Sequence, residues 1–286
     1  MSHSALLFLA SILVSLPAKA VIYGDDNRQE IEAVGDPEIR ELARSTAIFA
    51  GNYYIRIDSE DFAHPNTSTF GKDNNMCSDE RFADQPDLAT CSAFLVADEW
   101  VATAAHCVTG SSCLLGSFIF DYKMSKDGLP PTEIPVENIY GCKEVYLPEN
   151  TRENHYALVR LNRPVKNRKP LKLAQKDLKV GDSIFVIGNP MGMPTKYTDH
   201  AQIRSIDKLI YLANTDTYGV NSGSAVFNAA THEVFGVLIR GEEDLHWLDD
   251  RSCHVSNRCE EDQCRGEDIL NISTVIQGLE AVQKAN

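Results

Sequence analysis

Two short stretches carry side chains that could perform nucleophilic chemistry together. One is Trp100-Val101-Ala102-Thr103-Ala104-Ala105-His106-Cys107, a mostly apolar run that delivers a single histidine. The other runs from Asp216 to Phe227, where Tyr218-Gly219-Val220-Asn221-Ser222-Gly223-Ser224 sets one serine among small, turn-forming residues. Such a loop can hold Ser222 exposed while backbone N–H groups point at a neighbouring oxygen. A serine hydroxyl is a weak nucleophile until a base takes its proton, and imidazole titrates near neutrality. Peptide hydrolysis by such a pair needs a base and a group that holds the base in its correct tautomer. It also needs donors for the developing oxyanion and a pocket for the side chain before the cut. An Asn-Ser-Gly-Ser turn alone is an ordinary hairpin loop. The histidine stretch gives it chemical meaning.

Together the two stretches resemble the chymotrypsin-fold serine peptidases. They are most similar to the secreted bacterial branch that includes the glutamyl endopeptidases, in which the serine follows Asn. The resemblance implies that His106 is the base and Ser222 the nucleophile, in the chain order histidine, acid, serine. It also implies a disulfide between Cys91 and Cys107, sixteen positions apart and flanking the histidine stretch.

The chain departs from the family at the acid, where His155 stands two residues before Ala157 of the stretch Ala157-Leu158-Val159-Arg160-Leu161. A neutral imidazole can accept a hydrogen bond from His106 and orient it. It cannot offset the positive charge that forms on His106 during attack. Glu153 could polarise His155 from the same face of an extended segment. A metal between His106 and His155 is a further alternative.

The implied oxyanion donors are the amides of Val220 and Ser222. The family has Gly at the first position, and a β-branched residue resists positive φ. A flipped Val220 peptide would lose one donor, worth roughly 10²- to 10³-fold in rate. Ala225 stands where the family motif has Pro, a milder change. For the primary pocket, Asp216 lies six before the serine, where trypsin-like enzymes place the acid that selects Arg or Lys; Thr217 follows it. Leu238 replaces the histidine of glutamyl endopeptidases, and Arg240 and Gly241 would line the cleft edge. The expectation is therefore a basic preference, with Asp216 as a turn cap the alternative. Val21 to Arg28 resembles the mature amino terminus of glutamyl endopeptidases. Asn221 carries no charge to pair with a terminal amine, so the trypsin-like activation switch is expected to be absent.

These groups must be positioned by a chain of 286 residues with a formal net charge of −14. That charge argues against nucleic acid and anionic membranes as partners. Ala5 to Leu16 is apolar and is followed by Ala18-Lys19-Ala20, which reads as a secretory signal cleaved after residue 20. The eight cysteines, all beyond it, then read as disulfides, with a zinc site from Cys253, His254, Cys259 and Cys264 as the alternative. Short apolar runs at 92–96, 100–103, 156–161, 182–187 and 233–240, separated by turn residues, predict an all-β architecture. The resemblance narrows it to two antiparallel β-barrels with the site between them. Pro37 to Thr46 reads as a short helix and 57–90 as a long surface loop held by Cys77. Residues 163–170 form a basic, proline-bounded crossing between barrels. Val275, Ile276, Leu279 and Val282 form one apolar stripe of a carboxy-terminal helix, with Ser273 as N-cap, packed on the second barrel.

The expected organisation is a signal (1–20), an N-terminal segment with the first barrel (21–163), a second barrel (164–272) and the helix (273–286). The expected function is a secreted or periplasmic serine endopeptidase that forms an acyl-enzyme, impaired by His155 and Val220. It would act as a monomer on a protein or peptide substrate, with no cofactor, metal, nucleic acid or membrane partner after signal cleavage. The alternative is an inactive homologue that binds peptides or proteins through the old cleft.

Overall fold

The computed structural model describes residues 22–88, 90–148 and 155–285. Twelve strands build two rings. The first holds β1 (Thr46–Gly51), β2 (Cys91–Ala97), β3 (Trp100–Ala104), β4 (Gly116–Phe120), β5 (Ile139–Tyr146) and β6 (Tyr156–Leu161). The second holds β7 (Ser183–Gly188), β8 (Lys196–Asp207), β9 (Ile210–Ala213), β10 (Ala225–Asn228), β11 (Val234–Arg240) and β12 (Glu267–Asn271). The first closes in the order β1-β2-β3-β6-β5-β4 and the second in the order β7-β8-β9-β12-β11-β10, so the two rings share one topology. All pairs within the rings are antiparallel.

The strands form because alternate positions reach the inside of each ring while the other face is covered by loops or the facing ring. In β2 the apolar run Ala93-Phe94-Leu95-Val96 is buried on both faces, and Phe94 pairs with Thr46 on one side and Ala102 on the other. Phe49 meets Phe118 inside the first ring and Phe185 stacks on Phe227 inside the second, each with centroids 4.7 Å apart. The basic segment 163–170 crosses between rings as expected. The Val165 amide donates to Asp98 O at 2.7 Å and that of Leu171 to Leu95 O at 2.9 Å; Ala174 then reaches Val234 O at 2.8 Å. Pro37–Ala43 is helical, capped by the Asp36 carboxylate, which accepts from the Glu38 amide at 2.8 Å.

Three expectations and one alternative, the zinc site, need correction. The N-terminal segment belongs with the second ring: Arg28–Glu30 pairs with β8, and Ile22–Tyr23 runs parallel to Arg258–Cys259. Three-residue strands are too short to print a period-two pattern, so their partner was not legible. The carboxy-terminal helix, Ser273–Ala285, returns to the first ring, where Gly278 comes so close to Tyr156 of β6 that an added Cβ would overlap its hydroxyl. Ser273 lies inside that helix; the capping acceptor is Asn271 Oδ1, which takes the Ser273 amide at 2.8 Å. Finally, Cys77–Cys253, Cys91–Cys107, Cys113–Cys142 and Cys259–Cys264 are disulfides, which leaves no thiolate for zinc. The loop over 57–90 is tethered by Cys77 as expected and contains the strand Phe62–Pro65 and the helical turn Phe70–Asp73.

The leader is anchored by buried charge. The Arg28 side chain is 1% exposed and grips Asp26 with two nitrogens, Nε at 2.8 Å and Nη2 at 2.7 Å. It also lies 4.1 Å from the Tyr218 ring centroid. Breaking such a buried pair from one side strands the other charge. Arg28→Met should lower the unfolding free energy by about 3 kcal/mol, measured by urea denaturation.

Candidate active site

His106 sits on the 3₁₀ turn Ala105–Val108 that directly follows β3. His155 precedes β6, the neighbour of β3, and its carbonyl accepts the Ala105 amide at 2.9 Å. The β3–β6 register therefore sets the two imidazoles side by side along one open depression of about 310 Å³, with Thr109 and Leu147. Burial, and then the charge of the neighbouring His155 ring, push the His106 pKa below its ordinary 6.5. Among the described residues no carboxylate acts on His106. Glu153 lies outside the described residues.

Ser222 comes to this place through backbone contacts between the rings. The Ser92 amide donates to Ser222 O at 2.9 Å, and Cys107 Sγ lies 3.7 Å from the same oxygen. Gly223 donates its amide to Leu238 O at 2.7 Å and adopts φ +92°; an added Cβ there would overlap the Ser92 carbonyl oxygen. Only glycine fits a positive φ against another backbone at that distance. A ring nitrogen of His106 and both sulfurs of Cys91–Cys107 lie within 4.8 Å of one another. The His106 ring and the Ser222 backbone thus lie beside the same disulfide, and among the described residues no hydrogen bond joins His106 to the Ser222 hydroxyl.

The turn ahead of the serine is held at both ends. The Asn221 amide donates to Tyr218 O at 3.2 Å, and Val220, third residue of that turn, has φ +69°. The strained conformation that a β-branched residue resists is therefore adopted. The Gly219 carbonyl accepts the Met191 amide at 2.8 Å, and the Val220 carbonyl accepts Ser92 Oγ at 3.1 Å. In a trans peptide the N–H points opposite to the C=O, so the Val220 N–H faces away from the Met191 loop. Among the described residues, neither the Val220 nor the Ser222 amide has a protein acceptor.

Ser222, Leu238 and Gly241 line a small cavity of about 60 Å³ together with Gly219 and three carboxyls, those of Glu242, Asp244 and Glu267. Asp244 Oδ2 accepts the Gly219 amide at 2.7 Å, and Glu267 Oε1 the Glu242 amide at 3.3 Å. Burial raises the Asp244 pKa to about 6, with Glu243 adding to it. Burial also pushes Glu267, 3% exposed, well above the carboxylate range, and its neighbours Asp244 and Glu242 push further. Arg240 lines the cavity too, paired with Asp268, so it holds one cation beside acids that burial drives toward their neutral forms.

Asp216 and Thr217 do not line this cavity. Asp216 is 2% exposed, and its two oxygens accept the amides of Tyr23 and Asn27, each at 2.8 Å. Burial lifts its pKa to about 7 against the pull of those amides. Thr217 is buried, its hydroxyl 3.2 Å from that of Thr215. The sequence reading that put Asp216 at the base of the pocket is corrected: it clasps the leader. The acids that do line the cavity went unremarked. Two of them, Glu242 and Asp244, sit in the acidic run Glu242-Glu243-Asp244 just past the strand that follows the serine hairpin, but Glu267 offers no local signal.

Residues 91–237 match the trypsin-like peptidase domain. The chain belongs to that family. The two rings are similar to a glutamyl endopeptidase solved in complex with MPD, at 15% identity and a TM-score of 0.53, covering 92% of this chain and 99% of that one. They are also similar to a protease of M. tuberculosis solved in its active form, at 15% identity and a TM-score of 0.52, covering 96% and 93%. This member of the trypsin-like peptidase family therefore keeps the family's fold while holding the His155 imidazole beside that of His106.

Asp216→Ala would strand two buried amides, each worth about 1–3 kcal/mol. Urea unfolding should show a loss of roughly 2–4 kcal/mol, while any preference for the residue before the cut stays unchanged.

Proposed function

We propose that the protein is an exported serine endopeptidase. It cleaves slowly after Arg or Lys, with His106 as base, Ser222 as nucleophile and the amides of Val220 and Ser222 as oxyanion donors. The observation that carries this reading is the turn before the serine. Val220 is held at φ +69° by the Met191 and Ser92 contacts on its two flanking carbonyls, which leaves its N–H and that of Ser222 for an incoming oxygen. Strain of that kind costs of order 1–3 kcal/mol and persists where surrounding structure imposes it. Attack by Ser222 on a carbonyl carbon would pass its proton to His106 and place the oxyanion between the two amides. Collapse would return that proton to the leaving amine, and water would repeat the sequence on the acyl-enzyme.

His155 sets the rate in this scheme. It can orient His106 but supplies no negative charge, and a neutral group at that position costs about 10⁴-fold in turnover. Burial and the neighbouring His155 hold the His106 pKa below its ordinary value, which favours the neutral base and weakens it as a proton acceptor. The same observation favours a second reading, a non-catalytic member that retains peptides in the cleft. Export is supported by the four disulfides, and among the described residues no helix is long and apolar enough to cross a membrane.

A fluorophosphonate probe separates the two. Slow labelling, abolished by Ser222→Ala and accelerated by up to about 10⁴-fold in His155→Asp, is the expected result. No labelling of either the native protein or His155→Asp would leave only the binding reading.

The acidic cavity carries the proposed preference. With Asp244 titrating at about 6, its attraction for a cationic side chain is present above that pH and is lost as pH falls through it. On His155→Asp protein, kcat/KM for an Arg ester should exceed that for a Glu ester above pH 6. Asp244→Asn, which can still accept the Gly219 amide, should cut it by about tenfold and remove the pH-dependent part of KM.

A further inference from the structure

A second cavity, of about 290 Å³, opens at the other end of the first ring. β1 and β3 are each antiparallel to β2 and so run the same way; Arg44, just ahead of β1, therefore lies at the opposite end from His106, just after β3. Four cations line it, Arg44, Arg163, Lys166 and Arg168, against the carboxyls of Asp121 and Glu137. The chain has only 27 Lys and Arg against 41 Asp and Glu, so this concentration runs against its overall balance.

The guanidiniums are fixed in place. Arg163 Nη2 donates to the carbonyls of Val136, Glu137 and Ile139 at 3.3, 3.0 and 2.9 Å, and its guanidinium lies 4.0 Å from the Tyr140 ring centroid. Arg168 donates to Arg44 O and to Asn138 Oδ1, each at 2.7 Å, and pairs with Asp121. Arg44 pairs with Glu41 at 3.2 Å and donates to Asn167 O at 2.6 Å. Carbonyls orient a guanidinium without cancelling its charge. Arg44 and Arg168 have carboxylate partners. Among the described residues, Arg163 has none within ion-pair distance, the Lys166 ammonium makes no hydrogen bond or ion pair although its carbonyl accepts from Arg168 Nη1 at 3.5 Å, and Glu137 pairs with neither. The segment that supplies three of the four cations is the basic crossing 163–170, which the peptidase chemistry does not use.

We infer that this cavity is an anion-binding exosite for a tetrahedral oxyanion of the sulfate or phosphate type, either free or as a sulfate ester on a polysaccharide. A planar guanidinium already held flat is suited to such an oxyanion, because little ordering remains to oppose binding. Lys166, on the exposed side, would close over it. The bound anion would tie the crossing segment to β4 and β5 of the first ring.

The test uses the full protein and inorganic sulfate, with sodium chloride at matched ionic strength as reference. Calorimetric titration should show saturable binding and thermal unfolding a saturable rise in Tm. Both should be weakened about tenfold in Lys166→Glu and in Arg163→Gln. Lys166 is exposed, so Lys166→Glu keeps the test decisive should Arg163→Gln fail to fold. Fluorophosphonate labelling should be the same in Lys166→Glu as in the native protein. Dextran sulfate tells the sources apart: much tighter binding per site than inorganic sulfate assigns the ester, and comparable binding assigns the free ion. A response no greater than with chloride, or undiminished in folded Lys166→Glu, overturns the exosite.

Discussion

The site depends on one close approach, that of the serine loop to the start of β2. The Ser92 amide meets Ser222 O, the Ser92 hydroxyl meets Val220 O, and Gly223 packs against the Ser92 carbonyl. Ser92 also takes the Asn189 amide on its hydroxyl at 3.1 Å, while Thr103 holds its carbonyl at 2.7 Å. A single small residue of the first ring is thus the anvil on which two segments of the second, the serine loop and the Asn189 turn, are shaped. The adjoining disulfide fixes His106 to the same strand. The proposed chemistry depends on that contact, because His106 and His155 belong to the first ring while Val220 and Ser222 belong to the second.

The leader is the second constraint. Its backbone amides end on Asp216, and its Arg28 is wedged against Tyr218, whose hydroxyl lies 2.5 Å from Ser256 Oγ. Lys196, also 1% exposed, joins it through Glu30 at 3.1 Å and Gln85 at 2.7 Å. These are buried charges matched by partners in three different parts of the chain. Their geometry has to be correct together, since an unpartnered charge in such surroundings is expensive. The serine loop therefore rests on the first ring on one side and on the leader on the other.

How much of this was legible follows from where the information lies. The histidine stretch and the hairpin of β2 and β3 are local patterns and appear where the sequence places them, while the Cys91–Cys107 bridge is present as the family resemblance implies. Ser222 stood out only through the resemblance that pairs its loop with the histidine stretch, since the loop by itself reads as an ordinary hairpin turn. The strain at Val220 was legible as a conflict, though not its resolution, because the Met191 and Ser92 contacts come from distant loops. Asp216 misled for the same reason. An acid at a fixed distance from a serine says nothing about which of two surfaces it faces, and here the leader's amides claimed it. Glu267 enters the cavity through the β12 register alone, a property of the whole ring. The helix at the end of the chain showed its apolar stripe but not which ring would cover it.

The shared order of the two rings has a consequence for how such a site can arise. His106 lies in the connection between the third and fourth strands of its ring; Ser222 lies in the connection between β9 and β10, again third to fourth. His106 and Ser222 thus occupy equivalent places in two copies of one architecture. Reactivity here is a property of the seam between the copies, and small drifts in how they dock would tune it without any change to the reacting groups.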